Sequence, residues 1–244
     1  MKQGKISSNA EEIRRQMGWG LLDKKILVLT EDKKTSILRK ILSQWPDLES
    51  KVAVWPLHGI TKLPSADSLS EMGKIFGGSL KLLLHRDGDF LLGEERIRWS
   101  KPYIDKGIST WITKGSDIEA YFTTLEYIQS SMNIDKSQAK SIRKRAKDEI
   151  SDWKKKFSEK RKIVNKDEWL YPGGAGTPST DKSLSEITNN LKSSRKKFVG
   201  KTLCAKIRKI AQEDGIADAS TFGKWIPEEI TIAQELKSML QELV

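Results

Sequence analysis

Two aspartates, Asp87 and Asp89, stand one residue apart shortly after the apolar run Leu82–Leu84. A run that is so short and so apolar predicts a buried strand of a parallel sheet, and ligands bind at the carboxyl ends of such strands. Gly88 lets the backbone turn so that both carboxylates can face one ion. Two hard oxygen donors at this spacing suit Mg²⁺, although a solvated Asp-Gly turn is an alternative interpretation.

Further acidic residues follow two other predicted strands. Glu31 comes shortly after the apolar run 25–29, and Asp117 and Glu119 follow the run 108–113. Because parallel strands share one carboxyl edge, all these acids can converge on a site for Mg²⁺ or Mn²⁺. An alternative for the last pair is stabilisation of a helix N-terminus by acids in its first turn. The predicted metal ligands are Glu31, Asp87, Asp89, Asp117 and Glu119.

The elements that would position these carboxylates alternate along the first half of the chain. Strands are predicted over 25–29, 52–57, 80–85 and 108–113, with helical patterns between them. This alternation predicts an α/β fold in which a parallel sheet is flanked by helices. The predicted organisation is an N-terminal helical segment over 1–23, an α/β core over 24–131, a basic helix and loop over 132–182, and a C-terminal helical region over 183–244.

The charge of the chain favours a polyanionic partner. It carries 44 Lys and Arg against 33 Asp and Glu, a formal net charge of +11, which suggests nucleic acid first. The basic residues concentrate in 136–166, where an apolar stripe from Ile142 to Phe157 predicts one long helix with cationic outer faces. A face that only aids solubility mixes its signs, whereas an excess of one sign suits phosphates. The predicted nucleic-acid-binding residues are Arg143, Lys144, Arg145, Lys147, Lys154, Lys155, Arg195, Lys196 and Lys197.

Composition also excludes several classes of protein. No segment approaches the ~18 apolar residues of a membrane-spanning helix, and the N-terminus lacks the apolar core of a secretory signal. A single cysteine, Cys204, excludes an internal disulfide and a Cys-based zinc site. We therefore expect a reducing, cytoplasmic environment and no membrane partner. His58 and His85 both lie beside predicted strand ends, where a lone histidine is more often satisfied or solvated than catalytic, and His85 could still reach a water at this edge.

The C-terminal half contains three segments of less specific pattern. The loop 169–178 offers Trp169 and Tyr171 either for stacking on bases or as packed hydrophobic anchors. The segment 183–212 has a helical pattern that Gly200 interrupts, and the tail 227–244 predicts an amphipathic helix that packs on the core.

The order of these elements and acids resembles the Toprim domain, the catalytic fold shared by topoisomerases, bacterial primases and several nucleases. Within it, the chain looks most like Toprim nucleases of the overcoming-lysogenization-defect type. Those carry a Glu after the first strand, an Asp-x-Asp after the third, an acidic pair opening a later helix, and a Gly-Lys step that Gly200-Lys201 matches. The resemblance implies a Mg²⁺-dependent endonuclease in which Lys201 stabilises charge on the phosphate. The catalytic residues that it implies are Glu31, Asp87, Asp89, Glu119 and Lys201.

The chain also departs from the pattern of that family. Thr35 stands where a second acid often follows the first Glu, so a second metal site lacks one of its carboxylates. The chain has no P-loop, whereas the family fuses its Toprim domain to an ABC-type ATPase. The resemblance therefore implies a separate ATPase partner, as in two-component anti-phage defence systems of the PARIS type.

Three readings of function remain open at this point. The first is a nuclease that cleaves DNA or structured RNA such as tRNA, since a basic face without base contacts suits either. The second is a non-catalytic binding module with a decayed Toprim core. The third is a helical partner-binding subunit that an ATPase holds inactive. A topoisomerase would need a further DNA-cleaving domain, and a primase would need a zinc module.

Overall fold

The computed structural model describes residues 24–59, 63–76, 79–167, 170–179, 181–183 and 199–244. The strands are β1 (Ile26–Thr30), β2 (Val52–Pro56), β3 (Lys81–Arg86) and β4 (Ser109–Ile112). The helices are α1 (Ser36–Leu42), α2 (Pro46–Glu49), α3 (Ala66–Ile75), α4 (Gly93–Ile104), α5 (Leu125–Met132), α6 (Lys136–Asp148), α7 (Trp153–Val164), α8 (Gly200–Glu213) and α9 (Gln234–Leu243). A 3₁₀ helix, Ile118–Thr123, lies between β4 and α5.

The strands form one all-parallel sheet in the order β2-β1-β3-β4, and helices flank it. This confirms the predicted α/β fold class. The register pairs Ile26 of β1 with Val52 of β2 and with Lys81 of β3. All five residues of β1 are buried, as expected of an inner parallel strand whose two faces are both covered.

The chain divides into two compact units. The first comprises Met1–Arg86, Lys101–Trp111 and Gln234–Val244, and the second comprises Asp87–Ser100 and Ile112–Ala233. The first unit contains nearly all of the sheet with α1, α2, α3 and α9. The second contains α5 to α8 and the first eight residues of α4.

The local chemistry of the sequence explains where several helices begin. The Ser65 side chain accepts a hydrogen bond from the Ser68 N–H and so caps α3. Pro46 occupies the first turn of α2, where a missing N–H costs nothing. Asp135 and Gln138 form a reciprocal capping box that starts α6.

The prediction of one long basic helix is wrong. The basic segment forms α6 and α7, and the residues between them, 149–152, are not helical. Ser151 and Asp152 favour helix starts and turns over helix interiors, and Asp152 occupies the N-cap position of α7. The apolar stripe still marks the buried faces, since Ile142 and Phe157 are both buried.

Gly200 is the first residue of α8, and residues 184–198, which belong to the helical pattern predicted before it, lie outside the described residues. One other element prediction needs correction. The C-terminal helix is shorter than the segment predicted for it and covers only Gln234–Leu243. The N-terminal helix predicted within residues 1–23 lies outside the described residues. No described helix is long and apolar enough to cross a membrane.

His85, near the end of β3, is completely buried in the first unit. Its Nδ1 lies 2.8 Å from Oγ1 of Thr30, its register partner on β1. Its ring packs against Trp111 with the ring centroids 4.3 Å apart. Burial lowers the pKa of His85 to about 3, because the interior disfavours the imidazolium ion. These surroundings favour packing over contact with a solvent water.

The buried histidine makes the protein sensitive to acid. Because the folded pKa is lowered, His85 contributes stability that is present above pH 6.5 and is lost as the pH falls towards 3. Between pH 7.5 and 4.5 this loss should amount to roughly 2–3 kcal/mol of unfolding free energy. The measurement is urea unfolding of the wild type and of His85→Phe, which keeps a ring but cannot titrate. Equal pH dependence in the two proteins would contradict the prediction.

Candidate functional site

The Asp-Gly-Asp loop (residues 87–89) is fixed to the segment that follows β4. The Gly88 N–H donates to Thr113 Oγ1 at 2.8 Å, and the Asp89 N–H donates to the Ser116 carbonyl at 2.8 Å. A Cβ at position 88 would overlap the Gly115 carbonyl oxygen. Glycine is therefore required here by the close approach of two backbones, and the approach fixes where the flanking aspartates lie.

The backbone of this loop is strained at its end. Asp89 has a φ of 37° and Phe90 a φ of 62°, so two successive non-glycine residues are in the left-handed region. Aspartate tolerates that region better than most residues, whereas phenylalanine does so rarely. Such strain persists only where surrounding contacts enforce it, and it clusters at functional sites.

Asp87 and Asp117 both bind the start of the 3₁₀ helix Ile118–Thr123. Asp87 Oδ1 accepts a hydrogen bond from the Ile118 N–H at 3.1 Å. Asp117 is the N-cap, and its Oδ1 accepts from the Ala120 N–H at 3.2 Å. The helix-capping interpretation of Asp117 is thus confirmed, and the capping role holds this carboxylate beside the Asp-Gly-Asp loop.

Gly200 and Lys201 meet the same acidic segment at the beginning of α8. The Gly200 N–H donates to Ser116 Oγ at 2.9 Å, and the Lys201 N–H donates to Asp117 Oδ2 at 3.2 Å. A Cβ on Gly200 would overlap Asp117 Oδ1 and the Ala120 backbone. The Gly-Lys step therefore reaches the carboxylates through its backbone, and the Lys201 side chain is exposed.

Lys160 of α7 is a further cation at this site. Its Nζ lies 2.5 Å from Asp89 Oδ1, and its side chain is 42% exposed. The following residue, Arg161, is fully buried and donates to the Phe90 carbonyl at 3.1 Å. Two consecutive residues of α7 therefore hold the Asp-Gly-Asp loop. Lys160 binds the Asp89 side chain, and Arg161 binds the backbone carbonyl of Phe90, the residue that follows the loop.

Arg161 is the centre of a buried polar network. Its guanidinium binds both carboxylate oxygens of Glu95, at 2.7 and 2.8 Å, and also donates to Asn165. The Tyr171 hydroxyl donates to the same carboxylate. Burial alone would raise the pKa of Glu95, but hydrogen bonds from Arg161, Tyr171 and the Leu92 N–H outweigh it and lower the pKa. Tyr171 is therefore a packed anchor, one of the two roles considered for it.

The carboxylates of the second unit influence one another electrostatically. Burial, followed by the negative charge of Glu119, raises the pKa of Asp117 to about 7, and Asp89 adds to the effect. The Lys201 N–H and the Lys160 ammonium act in the opposite direction. We call Asp87, Asp89, Asp117 and Glu119 the carboxylate set. A cation bound beside Asp117 would favour its ionised form.

The donor chemistry of the carboxylate set fits a hard divalent cation such as Mg²⁺, because all its side-chain donors are carboxylate oxygens. Within the described ranges, however, no group of three or more His, Cys, Asp or Glu is arranged to hold a metal ion. Backbone N–H groups occupy oxygens of Asp87 and Asp117, and Lys160 occupies one of Asp89. The set thus has suitable donors without a preformed ligand geometry.

Glu31 lies in the first unit, where it directly follows β1. It is buried, and its N–H donates to the His85 carbonyl at 3.3 Å. Its position at the carboxyl end of an inner strand agrees with the expectation from sequence. Its convergence with the carboxylate set remains a prediction.

The predicted nucleic-acid-binding residues differ in how far they are engaged within the protein. Lys144, Lys154 and Lys155 are exposed. Arg145 is also exposed, but it donates to both carboxylate oxygens of Asp214 at 2.9 and 2.7 Å. Arg143 and Lys147 are partly buried. Arg195, Lys196 and Lys197 lie outside the described residues.

Lys160, Arg161 and Glu95 are not among the site residues predicted from the sequence. A signal for Arg161 was present, because it lies four residues after Phe157 and three before Val164, on the apolar face of α7. No comparable signal distinguishes Lys160 from the other lysines of the same helix. Glu95 lies 66 residues from its partner in the sequence, beyond the reach of local pattern.

Comparisons with known proteins found no match: no protein-family model matches the chain, and neither does any curated protein or solved structure.

Proposed function

We propose that the protein is a Mg²⁺-dependent nuclease that cleaves phosphodiester bonds of nucleic acid. The observation that carries the proposal is the meeting of three distant parts of the sequence in one unit. The Asp-Gly-Asp loop, the segment containing Asp117 and Glu119, and the Gly200-Lys201 step are joined by direct hydrogen bonds. These are three of the four segments that carry the resemblance to Toprim nucleases, and the fourth, which contains Glu31, lies in the first unit.

In the proposed mechanism the carboxylate set would hold the metal ion, and the chemistry supplied there would be Lewis-acid assistance at the phosphate. The protein positions the acids: the Ile118 N–H holds Asp87, and the Ala120 and Lys201 N–H groups hold Asp117. Exposed lysines of α6 and α7 would bind the nucleic-acid backbone without reading its sequence. Glu31 is included as a further metal ligand of the proposal because it directly follows β1.

The test is a substrate panel with the purified chain. Supercoiled plasmid, single-stranded DNA and total tRNA are incubated with Mg²⁺, Mn²⁺ or EDTA. We expect metal-dependent cutting that falls at least about 100-fold in Asp87→Asn and Glu119→Gln, because each removes a proposed metal ligand. The rate of cutting by Glu31→Gln should fall by a similar factor. The matched control is Asp105→Asn, which removes an exposed aspartate paired with Lys101 and should cut normally.

Two outcomes would redirect the proposal. Tight, salt-sensitive binding without cutting of any substrate would favour the non-catalytic module with a decayed core. Cutting that appears only beside a separate ATPase would support the proposed partner-controlled effector of anti-phage defence, an idea that rests on the resemblance alone.

A further inference from the structure

Lys160 differs from the other lysines of α7 because its ammonium contacts the candidate site. Its Nζ binds Asp89 Oδ1 at 2.5 Å, across 71 residues of sequence. Lys201, the lysine that the resemblance nominates, meets the carboxylate set through its backbone N–H instead. Lys160 therefore brings an ammonium group into direct contact with an acid of the set.

The position of Lys160 is fixed by its neighbour. Arg161 is fully buried, binds both oxygens of Glu95 and donates to the Phe90 carbonyl directly after the Asp-Gly-Asp loop. These contacts tie this turn of α7 to the loop and so hold the backbone of Lys160 within reach of Asp89. Because its own guanidinium is buried in this network, Arg161 cannot serve as the contact for an external anion.

Lys160 is also open to solvent. Its side chain is 42% exposed while the Asp89 side chain is 15% exposed, so the lysine of this pair is the partner that solvent reaches more easily. An incoming phosphate is repelled by the negative charge of Asp89 and of the other ionised acids of the set unless a cation stands between them. A lysine held beside one of those carboxylates and partly open to solvent meets that need.

We propose that Lys160 is a substrate-contacting residue of the site: its ammonium binds a phosphate of the nucleic-acid backbone, and Asp89 holds it in position for that contact. The proposal rests on the proposed nuclease function and adds a residue to it. An ammonium so placed stabilises negative charge on the phosphate as a point charge.

The first experiment measures binding without cutting. Fluorescence anisotropy in EDTA gives the Kd for a labelled single-stranded oligonucleotide across a series of salt concentrations. Lys160→Met should lower the slope of log Kd against log salt by about one, since one phosphate contact is lost. Lys160→Arg should keep the slope. The matched control is Lys106→Met, which removes a lysine of similar exposure that pairs with an exposed aspartate, Asp67, in the first unit.

A coupled pair of variants separates a substrate contact from a structural one. Asp89→Asn releases the Lys160 ammonium from its partner, so binding in EDTA should tighten several-fold. The double variant Asp89→Asn with Lys160→Met should lose most of that gain. If Lys160 only fastened the loop, the double variant would keep the gain of Asp89→Asn, because that gain would come from the lost negative charge alone.

Cleavage supplies the second readout. With Mg²⁺, kcat/KM should fall about 100-fold in Lys160→Met and recover in part in Lys160→Arg. The urea midpoint of Lys160→Met should stay close to that of Lys106→Met. The assignment of Lys160 would be overturned if the wild type cuts but Lys160→Met and Lys106→Met have the same salt slope and the same kcat/KM. A wild type that binds but never cuts would overturn the nuclease proposal, and the salt slope would still decide on Lys160. A wild type that binds no nucleic acid would overturn both.

Discussion

Replacement of Arg161 with methionine should lower the free energy of unfolding by about 3–5 kcal/mol. The substitution leaves the Glu95 carboxylate buried without its bidentate partner, and a buried charge without compensation is costly. It also removes the hydrogen bond to the Phe90 carbonyl, where the backbone has a positive φ. The loop that carries Asp89 should therefore loosen as well. Urea unfolding at pH 7 measures the effect.

A surface ion pair of the same chemistry provides the control. Arg145 binds both oxygens of Asp214 in a pair that is partly exposed, so Arg145→Met should cost less than about 1 kcal/mol. Arg161→Met combined with Glu95→Leu should recover part of the loss, because no buried charge remains. Recovery should be incomplete, since the Tyr171 hydroxyl loses its acceptor. A loss in Arg161→Met no larger than that in Arg145→Met would contradict the buried network.

Substitution of Gly200 by alanine should also have a large effect. The new Cβ would overlap Asp117 Oδ1 and the backbone of Ala120, so the start of α8 must move away from the 3₁₀ helix. This shift should lengthen and weaken the hydrogen bonds that the Gly200 and Lys201 N–H groups donate. We expect a loss of about 2–4 kcal/mol, from overpacking and from weakened hydrogen bonds. Thermal or urea unfolding of the variant measures it.

Another helical glycine makes the matched control. Gly73 lies in α3, and a Cβ there would come no closer than 3.8 Å to the Leu82 Cδ1 atom, an ordinary contact. Gly73→Ala should be neutral or stabilise the protein by up to about 1 kcal/mol through helix propensity. If Gly200→Ala behaves like Gly73→Ala, the close approach of α8 to Asp117 is not tight in solution.

The sheet could be predicted from the sequence because each of its inner strands is marked by a short, continuous apolar run. The apolar runs after Lys25 and Lys81 predicted β1 and β3, and the structure shifts each boundary by a single residue. A strand buried on both faces has to be apolar throughout, so the pattern reflects its surroundings. Helix boundaries were harder, because capping residues such as Asp152 lie within an otherwise continuous apolar stripe.

The candidate site was only partly predictable for a different reason. Carboxylates at strand ends can be found because parallel strands share an edge. Contacts such as Lys160 with Asp89 depend on how α7 packs in the second unit, and a lysine-rich segment offers many equivalent candidates. The resemblance drew attention to the Lys201 side chain, whereas the structure shows a contact through its amide. A motif can thus place a residue at a site without indicating which of its atoms is used there.

The left-handed backbone at Asp89 has a consequence for evolutionary drift. Asparagine and glycine also tolerate this conformation, and each is one nucleotide change from an aspartate codon. Either replacement would keep the turn while removing the negative charge. Conformation and charge can therefore be inherited separately at this position, and a single nucleotide change could remove the proposed metal ligand without disturbing the turn.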